Sequence, residues 1–269
     1  MIAVLLPVYK KDSVVYLRKA VESIYGQTYQ DFQLLIGVDG PVGEELKEHL
    51  KLIESEGKTQ VIWFEENRGL ACVLNDLLDI CFKDGFEYIA RMDADDISLP
   101  ERFEKQQKYL QEHPEIDVVG GAIEEIDEKG QLRGKRVQYP LTHDDCRKFF
   151  RYRDPLAHPA VMFRRSFFKK AHGYRNEYRK NQDTMLWFDG FMNGCIFSNL
   201  PDTVLHFRVT DDFYKSRRGG WQRAKKMLVD RFMINRSLHY DITAYLFSFS
   251  MFTMTIMPAS IKKLLYRMR

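Results

Sequence analysis

Three carboxylates lie within four positions at Asp93, Asp95 and Asp96. Like charges this close repel one another, so a counter-charge must offset them. A hard divalent cation such as Mg²⁺ or Mn²⁺ takes oxygen ligands, often one or two carboxylates together with substrate phosphates. A second interpretation stays open, because Pro100 precedes a predicted helix at 101–112 and acidic residues are favourable before a helix N-terminus.

The common nucleotide-binding motifs are absent from this sequence. Gly37, Gly40 and Gly43 lack the spacing of a dinucleotide-binding turn, and Gly130 and Gly134 are one residue too close for a P-loop. A glycosidase would need two carboxyl groups on opposite sides of a sugar, usually from different segments. The spacing of the acids therefore fits a metal–diphosphate complex better than any of these sites.

Strand and helix patterns alternate over the first hundred residues. Apolar runs at 2–9, 32–39, 60–65 and 87–93 are separated by segments with helical periodicity. This rhythm predicts an α/β fold with a mostly parallel mixed sheet flanked by helices. In such sheets ligands bind beyond the carboxyl ends of the strands.

Polar residues follow each of these predicted strands. Pro7 and Tyr9 end the first, Asp39 ends the second, and Asn67 and Arg68 follow the third. The acidic cluster follows the fourth. Four strand ends therefore direct polar groups to one edge of the predicted sheet. Asp12, just after the first strand, is predicted to cap the next helix, with Ser13 as the alternative cap.

Composition narrows the class of protein. The chain has 269 residues, 45% of them hydrophobic, and a net charge of +3, which is too small to indicate a nucleic-acid partner. Its four cysteines show no C-x-x-C spacing, so we predict reduced thiols in a cytosolic protein without a zinc site. The N-terminus enters a strand pattern directly, and no signal peptide is predicted.

The character of the sequence changes after residue 212. Residues 214–236 contain eight Lys or Arg against one Asp, and 242–261 contain no charged residue. That length permits a transmembrane span, but hydroxyl side chains and a proline make it a poor one. We predict a domain at 1–212 and a C-terminal helical extension at 213–269 that lies in the membrane interface. A helix hairpin that covers the core is the alternative.

Seven segments make the sequence recognisable: LLPVYK, VDG, ENRGLACVLN, RMDADDISLPERFEKQ, VVGG, HPAVMFRR and NQDTMLW, in that order. Together they resemble the family 2 glycosyltransferases, inverting enzymes with the nucleotide-diphospho-sugar transferase (GT-A) fold. The resemblance covers residues 1–210. One D-x-D motif occurs often by chance, whereas seven ordered motifs are specific.

The resemblance implies which residues bind the nucleotide-sugar. Pro7 and Tyr9 line the base and ribose, and Asp39 contacts the base. The loop with Asn67, Arg68 and Gly69 closes over the nucleotide, and Asp93 faces the ribose or sugar. The metal ligand is Asp95, with Asp93 and His206 as further candidates. Many relatives carry a histidine at the position of Thr210, which weakens the case for a third protein ligand.

The resemblance also implies a catalytic base at Asp183, although capping of the following helix is an alternative role. The family often has Glu before this Asp, and here the residue is Gln182. His158 matches a position on the acceptor side, and Arg217 and Arg218 are candidates to meet the diphosphate. In an inverting transfer the base must lie across the sugar from the metal, so two distant acidic sites are expected.

The expected function is transfer of a sugar from a UDP-sugar, with Mn²⁺ or Mg²⁺ as cofactor. The expected acceptor is a glycan or a polyprenyl-diphosphate-linked glycan, at the inner face of a bacterial cell membrane, in polysaccharide biosynthesis. Two alternatives stay open: a nucleotidyltransferase on a related sheet, and a non-catalytic membrane-bound scaffold with the same fold.

Overall fold

The computed structural model describes residues 1–55, 57–210 and 221–257. The chain forms two compact units. The first consists of Met1–Arg147 and Asp154–Arg208, and the second consists of Lys148–Arg153 and the described residues after Arg208. The domain boundary predicted after residue 212 lies outside the described residues and stays a prediction.

The first unit alternates strands and helices along the chain. Its strands are β1 (Ile2–Val8), β2 (Phe32–Val38), β3 (Thr59–Trp63), β4 (Tyr88–Arg91), β5 (Ile97–Ser98), β6 (Val118–Ile126), β7 (Leu132–Val137), β8 (Met162–Arg164) and β9 (Phe197–Arg208). Its helices are α1 (Val14–Tyr25), α2 (Glu44–Ser55), α3 (Leu70–Lys83), α4 (Arg102–Glu112), α6 (Arg165–Ala171) and α7 (Gln182–Met192), together with α5 (His143–Phe150), whose residues from Lys148 on are assigned to the second unit.

The described strands form one mixed sheet in the order β3-β2-β1-β4-β8-β6-β9-β5, with β7 paired to β6. The strands β3, β2, β1 and β4 are parallel to one another, as the alternating pattern predicted. The strand β8 runs antiparallel to β4 and β6, whereas β6 and β9 are parallel. The predicted α/β class is therefore confirmed.

Burial on both faces explains why the first strands are almost continuously apolar. Every residue of Ile2–Leu6 is buried, and so is nearly all of β2. The helix α3 packs closely on β2 at Gly37, where a Cβ atom would lie 2.4 Å from Cγ1 of Val73. A larger residue at this position would push the helix away from the sheet.

Two sequence-based boundaries were wrong. The fourth strand ends at Arg91 rather than Asp93, because the chain turns there and the acids occupy the turn. The apolar run AVMF at 160–163 predicts a further strand from Ala160, whereas β8 begins at Met162. Residues His158–Ala160 instead form a 3₁₀ turn, closed by a hydrogen bond from the Ala160 N–H to the Ala157 carbonyl at 2.9 Å.

The second unit contains the helices α8 (Trp221–Ser237) and α9 (Ile242–Ile256). The Nδ2 group of Asn235 donates to Oγ of Ser248 at 3.1 Å between the two helices. Trp221 packs edge-on against Phe252, with ring centroids 5.4 Å apart. The predicted helical extension is therefore present. Within residues 1–55, 57–210 and 221–257, no helix has the length and apolar character needed to cross a membrane.

Candidate active site

A cavity of about 450 Å³ lies where the parallel strands end. Parallel strands that share a sheet bring their carboxyl ends to one edge, so residues from distant segments meet there. The lining residues are Pro7, Val8, Tyr9, Asp12, Asp39, Asn67, Gly69, Leu70, Val73, Asp93, Ala94, Asp95 and Arg179. The structure thus brings together most of the residues that the sequence assigned to the nucleotide-sugar.

Asp12 is a cavity residue that the sequence suggested only as a helix cap. Its Oδ2 atom accepts a hydrogen bond from the N–H of Tyr9 at 2.8 Å. Burial, with the negative charges of Asp95 and Asp93, raises the pKa of Asp12 to about 7, and the bond from Tyr9 opposes this rise. Helix α1 instead has Ser13 at its N-cap position, without a hydrogen bond from the Ser13 side chain.

The carboxylate of Asp39 fixes the loop between β3 and α3. It accepts hydrogen bonds from Nδ2 of Asn67 at 2.9 Å, from the Arg68 N–H at 2.7 Å and from the Gly69 N–H at 3.0 Å. A carboxylate has about four lone-pair sites, and this loop uses most of them. In this structure Asp39 holds the loop in place, and its contact with a nucleobase stays a prediction.

The structure places Arg179, not Arg68, at the cavity. The guanidinium group of Arg68 pairs with Asp76 and lies 4.7 Å above the ring of Phe64. Arg179 lines the cavity instead, and its Nη1 atom donates to Oδ1 of Asn67 at 3.1 Å. Closure of Arg68 over a nucleotide stays a prediction and would require it to leave these partners.

Gly69 makes the approach of Arg179 possible. A Cβ atom at Gly69 would lie 2.9 Å from Cδ of Arg179. Gly69 also has a φ of +94°, a conformation that strains any residue with a side chain. Arg179 is 112 positions from Asn67, and no sequence motif marks it as a cavity residue.

The acidic turn is held by two buried arginines. Arg91, at the end of β4, forms an ion pair with Asp93. Arg208, at the end of β9, donates its N–H to Oδ1 of Asp96 and its Nε to the carbonyl of Asp95, at 2.8 and 2.7 Å. Asp96 is buried and supports the turn, whereas Asp93 and Asp95 face the cavity.

These acids fit a divalent cation. Carboxylate oxygens of Asp93, Asp95 and Asp96 lie within 4.8 Å of one another. Burial and the negative charge of Asp93 raise the pKa of Asp95 to about 6, and the positive charges of Arg91 and Arg208 oppose this rise. An all-oxygen donor set of this kind suits Mg²⁺ or Mn²⁺. Asp95 and Asp93 would hold the ion, because they line the cavity whereas Asp96 is buried.

His206 does not belong to this cluster. It lies on β9 opposite Ile97, and its Nε2 atom is 3.5 Å from a carboxylate oxygen of Glu124. The group of neighbouring metal-ligating side chains found among the described residues consists of the three acids alone. The role of His206 as a metal ligand stays a prediction.

Asp183 is the second residue of α7, and the N-cap position belongs to Asn181. The Oδ1 atom of Asp183 accepts the N–H of Thr184 at 2.8 Å. Burial and then the negative charge of Asp154 raise the pKa of Asp183 to about 6, while the bond from Thr184 and the positive charge of Arg91 oppose this rise. Asp183 does not line the cavity of Asp93, but the charge of Arg91 acts on both acids.

His158 is buried in this structure. Its Nε2 atom lies 2.8 Å from the Tyr174 hydroxyl, and its ring packs edge-on against Trp187. Burial, with the positive charge of Arg91, lowers the pKa of His158 well below its usual value, so the ring is neutral. A direct contact with an acceptor stays a prediction. Arg217 and Arg218, the candidates for diphosphate contact, lie outside the described residues.

A comparison of the sequence with known protein families agrees with this geometry. Residues 3–172 match the family model described as "Glycosyl transferase family 2". The chain belongs to glycosyl transferase family 2. It is therefore a glycosyltransferase, as the resemblance implied. Family membership does not favour the two alternatives from the sequence, a nucleotidyltransferase and a non-catalytic scaffold.

Curated relatives support the same assignment for this family 2 glycosyltransferase. The chain is 36% identical over 225 residues to the amylovoran biosynthesis glycosyltransferase AmsE of Erwinia amylovora, covering 84% of this chain and 82% of AmsE. It is 26% identical over 266 residues to the UDP-Gal:alpha-D-GlcNAc-diphosphoundecaprenol beta-1,3-galactosyltransferase of Escherichia coli, covering 98% and 94% of the two chains.

A solved structure shows that the glycosyltransferase has the GT-A fold. The mannosyltransferase PcManGT from Pyrobaculum calidifontis, in complex with GDP-Man and Mn²⁺, is similar with a TM-score of 0.62 and 15% sequence identity. The match covers 99% of this chain and 78% of PcManGT. The predicted fold class is confirmed.

Proposed function

We propose that this glycosyltransferase is an inverting, metal-dependent enzyme that transfers a sugar from a UDP-sugar to a glycan or polyprenyl-diphosphate-linked acceptor. The observation that carries the proposal is the cavity at the strand ends, which is lined both by Asp93 and Asp95 and by the loop that Asp39 fixes. The proposed pathway is bacterial polysaccharide biosynthesis, which agrees with the name of AmsE.

The protein residues of the cavity bind and orient the donor. Pro7 and Tyr9 line the cavity together with Asn67 and Gly69 of the loop that Asp39 fixes. Arg179 provides a positive charge on the cavity wall, which suits a diphosphate. A bound Mg²⁺ or Mn²⁺, held by Asp95 and Asp93, would act as a Lewis acid that stabilises negative charge on the diphosphate.

Asp183 is the proposed catalytic base. Its carboxylate takes the proton of the acceptor hydroxyl as the hydroxyl oxygen forms a bond to the anomeric carbon. The bond from that carbon to the diphosphate breaks, and its electron pair leaves with the nucleoside diphosphate. No covalent enzyme intermediate is required. The pKa of about 6 lets Asp183 be ionised at neutral pH while it remains a stronger base than an ordinary Asp.

Two relatives support the substrate classes. The name of the Escherichia coli relative includes UDP-Gal as donor and a diphosphoundecaprenol-linked acceptor. PcManGT was solved with GDP-Man and Mn²⁺. The first supports UDP and a lipid-linked acceptor for this chain, and the second supports a divalent metal.

A thermal-shift screen of nucleotide sugars tests the donor proposal. UDP-sugars with Mn²⁺ should raise the melting temperature, because a ligand that binds the native state stabilises it by mass action. GDP-sugars and metal-free UDP-sugars are the comparison arms. A larger shift with GDP-sugars would overturn the choice of UDP, and equal shifts with and without Mn²⁺ would overturn the metal.

The helix α9 supports the proposal that the enzyme is peripheral on the inner face of the cell membrane. Four apolar side chains on one helical face are exposed: Ile242, Leu246, Phe249 and Ile256, with exposed fractions of 69%, 64%, 56% and 40%. We name this set the apolar stripe. Helix α8 carries five Lys or Arg against one Asp. Apolar side chains together with basic ones are typical of helices that lie in a membrane interface.

Replacing Leu246 and Phe249 of the apolar stripe by Ser is expected to weaken binding to anionic vesicles by about tenfold or more, because burial of each apolar side chain contributes about 1.5–3 kcal/mol. Co-sedimentation with phosphatidylglycerol vesicles at low and high salt measures this. The wild type should keep part of its binding at high salt, since salt screens the basic residues alone.

Leu132→Ser is the matched control, because Leu132 is 61% exposed on β7 in the first unit. It should bind vesicles as the wild type does. Failure of the wild type to bind vesicles, or equal binding by the double variant, would contradict the membrane proposal.

A further inference from the structure

A second carboxylate is joined to the proposed base through one residue. The hydroxyl of Thr184 donates to Oδ2 of Asp154 at 2.9 Å. The N–H of the same Thr184 donates to Oδ1 of Asp183 at 2.8 Å. Asp154 lies 30 positions before Thr184, in the segment that leads to the 3₁₀ turn at His158–Ala160.

We propose that Asp154 is a positioning residue for Asp183. Through Thr184 it fixes the first turn of α7, which carries Asp183, and its negative charge favours transfer of a proton to Asp183. This inference rests on the proposed function, in which Asp183 takes the proton of the acceptor hydroxyl. It adds a residue that no sequence motif and no family match assigns.

The hydrogen bonds explain how Asp154 restricts the base. The first amides of a helix have no partner within the helix, and here the carboxylate of Asp183 accepts one of them. That bond can fix the orientation of Asp183 only if Thr184 is itself fixed. The bond from the Thr184 hydroxyl to Asp154 provides a second contact that holds Thr184 in place. A base must lie within hydrogen-bond reach of the proton that it removes, so this restriction affects the rate.

The charges around Asp183 act in opposite directions. Burial contributes most to its raised pKa, and Asp154 is the next contributor. The positive charge of Arg91 on β4 and the N–H of Thr184 lower the pKa of Asp183. Tyr174 also faces it, because the negative charge of Asp183 contributes to the raised pKa of that hydroxyl after burial. Asp154 therefore offsets Arg91, which would otherwise make Asp183 a weaker base.

Two variants separate the charge from the hydrogen bond. Asp154→Asn keeps an oxygen that can accept the Thr184 hydroxyl but removes the negative charge. Thr184→Val removes the hydroxyl but keeps the charge of Asp154 and the N–H that bonds Asp183. Asp79→Asn, which removes an exposed charge on α3, is the control for charge removal alone. All variants are made in the full chain. For each, kcat/KM for the acceptor is measured against pH at saturating donor.

The wild type should lose activity as the pH falls through about 6, because Asp183 must be deprotonated to act as a base. In Asp154→Asn the midpoint of this loss should move about half a unit to one unit lower, since a like charge has been removed. Its plateau rate should fall about two- to tenfold, because a weaker base removes the proton less readily. Thr184→Val should lower the plateau rate without that shift in midpoint, and Thr184→Ser should restore it.

An unshifted midpoint and an unchanged plateau in Asp154→Asn, with a lower melting temperature alone, would overturn the inference and make Asp154 a structural residue. Complete loss of transfer at every pH, with donor binding intact, would also overturn it, because Asp154 would then be the base. The variant Asp183→Asn distinguishes failure of the proposed base from failure of the role proposed for Asp154. If that variant keeps normal transfer, the proposed base is wrong. If it is inactive while Asp154→Asn is unshifted, only the role of Asp154 fails.

Discussion

Replacing Asp183 by Asn is expected to reduce sugar transfer by about two to four orders of magnitude, the usual contribution of a general base. An amide has nearly the shape of a carboxylate, and its oxygen can still accept the N–H of Thr184. It cannot take a proton from the acceptor hydroxyl. The first turn of α7 should therefore keep its structure while the chemical step slows.

The measurement is transfer to a lipid-linked acceptor, together with calorimetric titration of UDP and Mn²⁺. Binding of UDP–Mn²⁺ should stay within about twofold of the wild type, because Asp183 does not line the cavity. Asp79→Asn is the matched control, an exposed Asp on α3 whose loss should leave transfer unchanged. Near-normal turnover in Asp183→Asn with a lower melting temperature would show that Asp183 has a structural role instead.

Asp95→Ala is expected to abolish the dependence of UDP binding on Mn²⁺. Asp95 faces the cavity, and its carboxylate lies in the one group of neighbouring metal-ligating side chains among the described residues. Its removal takes a ligand from the ion without touching the loop that Asp39 fixes. Titration of UDP with and without Mn²⁺ measures the effect, and we expect at least about a hundredfold loss of metal-dependent affinity.

The same variant should not destabilise the metal-free protein. The pKa of Asp95 is raised to about 6, mainly by burial and by Asp93, so its ionised form disfavours the folded state. That penalty is absent at a pH below the pKa that Asp95 has in the unfolded chain. It grows as the pH rises and is complete above about pH 6. At pH 8 the melting temperature of metal-free Asp95→Ala should therefore equal or exceed that of the wild type.

Asp79→Ala is the control for loss of a carboxylate, and it should keep both metal-dependent binding and stability. Two results would contradict the metal assignment. One is binding of UDP–Mn²⁺ by Asp95→Ala with wild-type affinity. The other is a fall in the melting temperature of the metal-free protein large enough to explain lost binding by unfolding.

The sequence alone determined the fold class and predicted which polar residues meet at one edge of the sheet. Apolar runs separated by helical patterns are local features, and they identify parallel strands without knowledge of their partners. Because such strands end at a common edge, the positions of Tyr9, Asp39, Asn67 and Asp95 at strand ends were enough to place them together. The structure confirms that these residues line one cavity.

The tertiary structure decided which side chains reach that cavity and which do not. Arg68 stands in a recognisable motif, yet Asp76 and Phe64 hold its guanidinium group, and Arg179 from a distant segment lines the cavity. His158 also stands in a recognisable motif but is buried against Tyr174. Motifs fix the position of a residue along the chain, whereas the direction of its side chain depends on packing partners elsewhere.

The surroundings of Asp183 show most clearly the difference between what the sequence predicts and what the tertiary structure decides. The sequence predicted its role from a resemblance and left helix capping as the alternative. Only the fold brings Asp154 to Thr184, 30 positions away, and Arg91 to a place where its charge acts on Asp183. Burial and the charges of these neighbours set the pKa of a carboxylate, and both depend on three-dimensional contacts that no local pattern encodes.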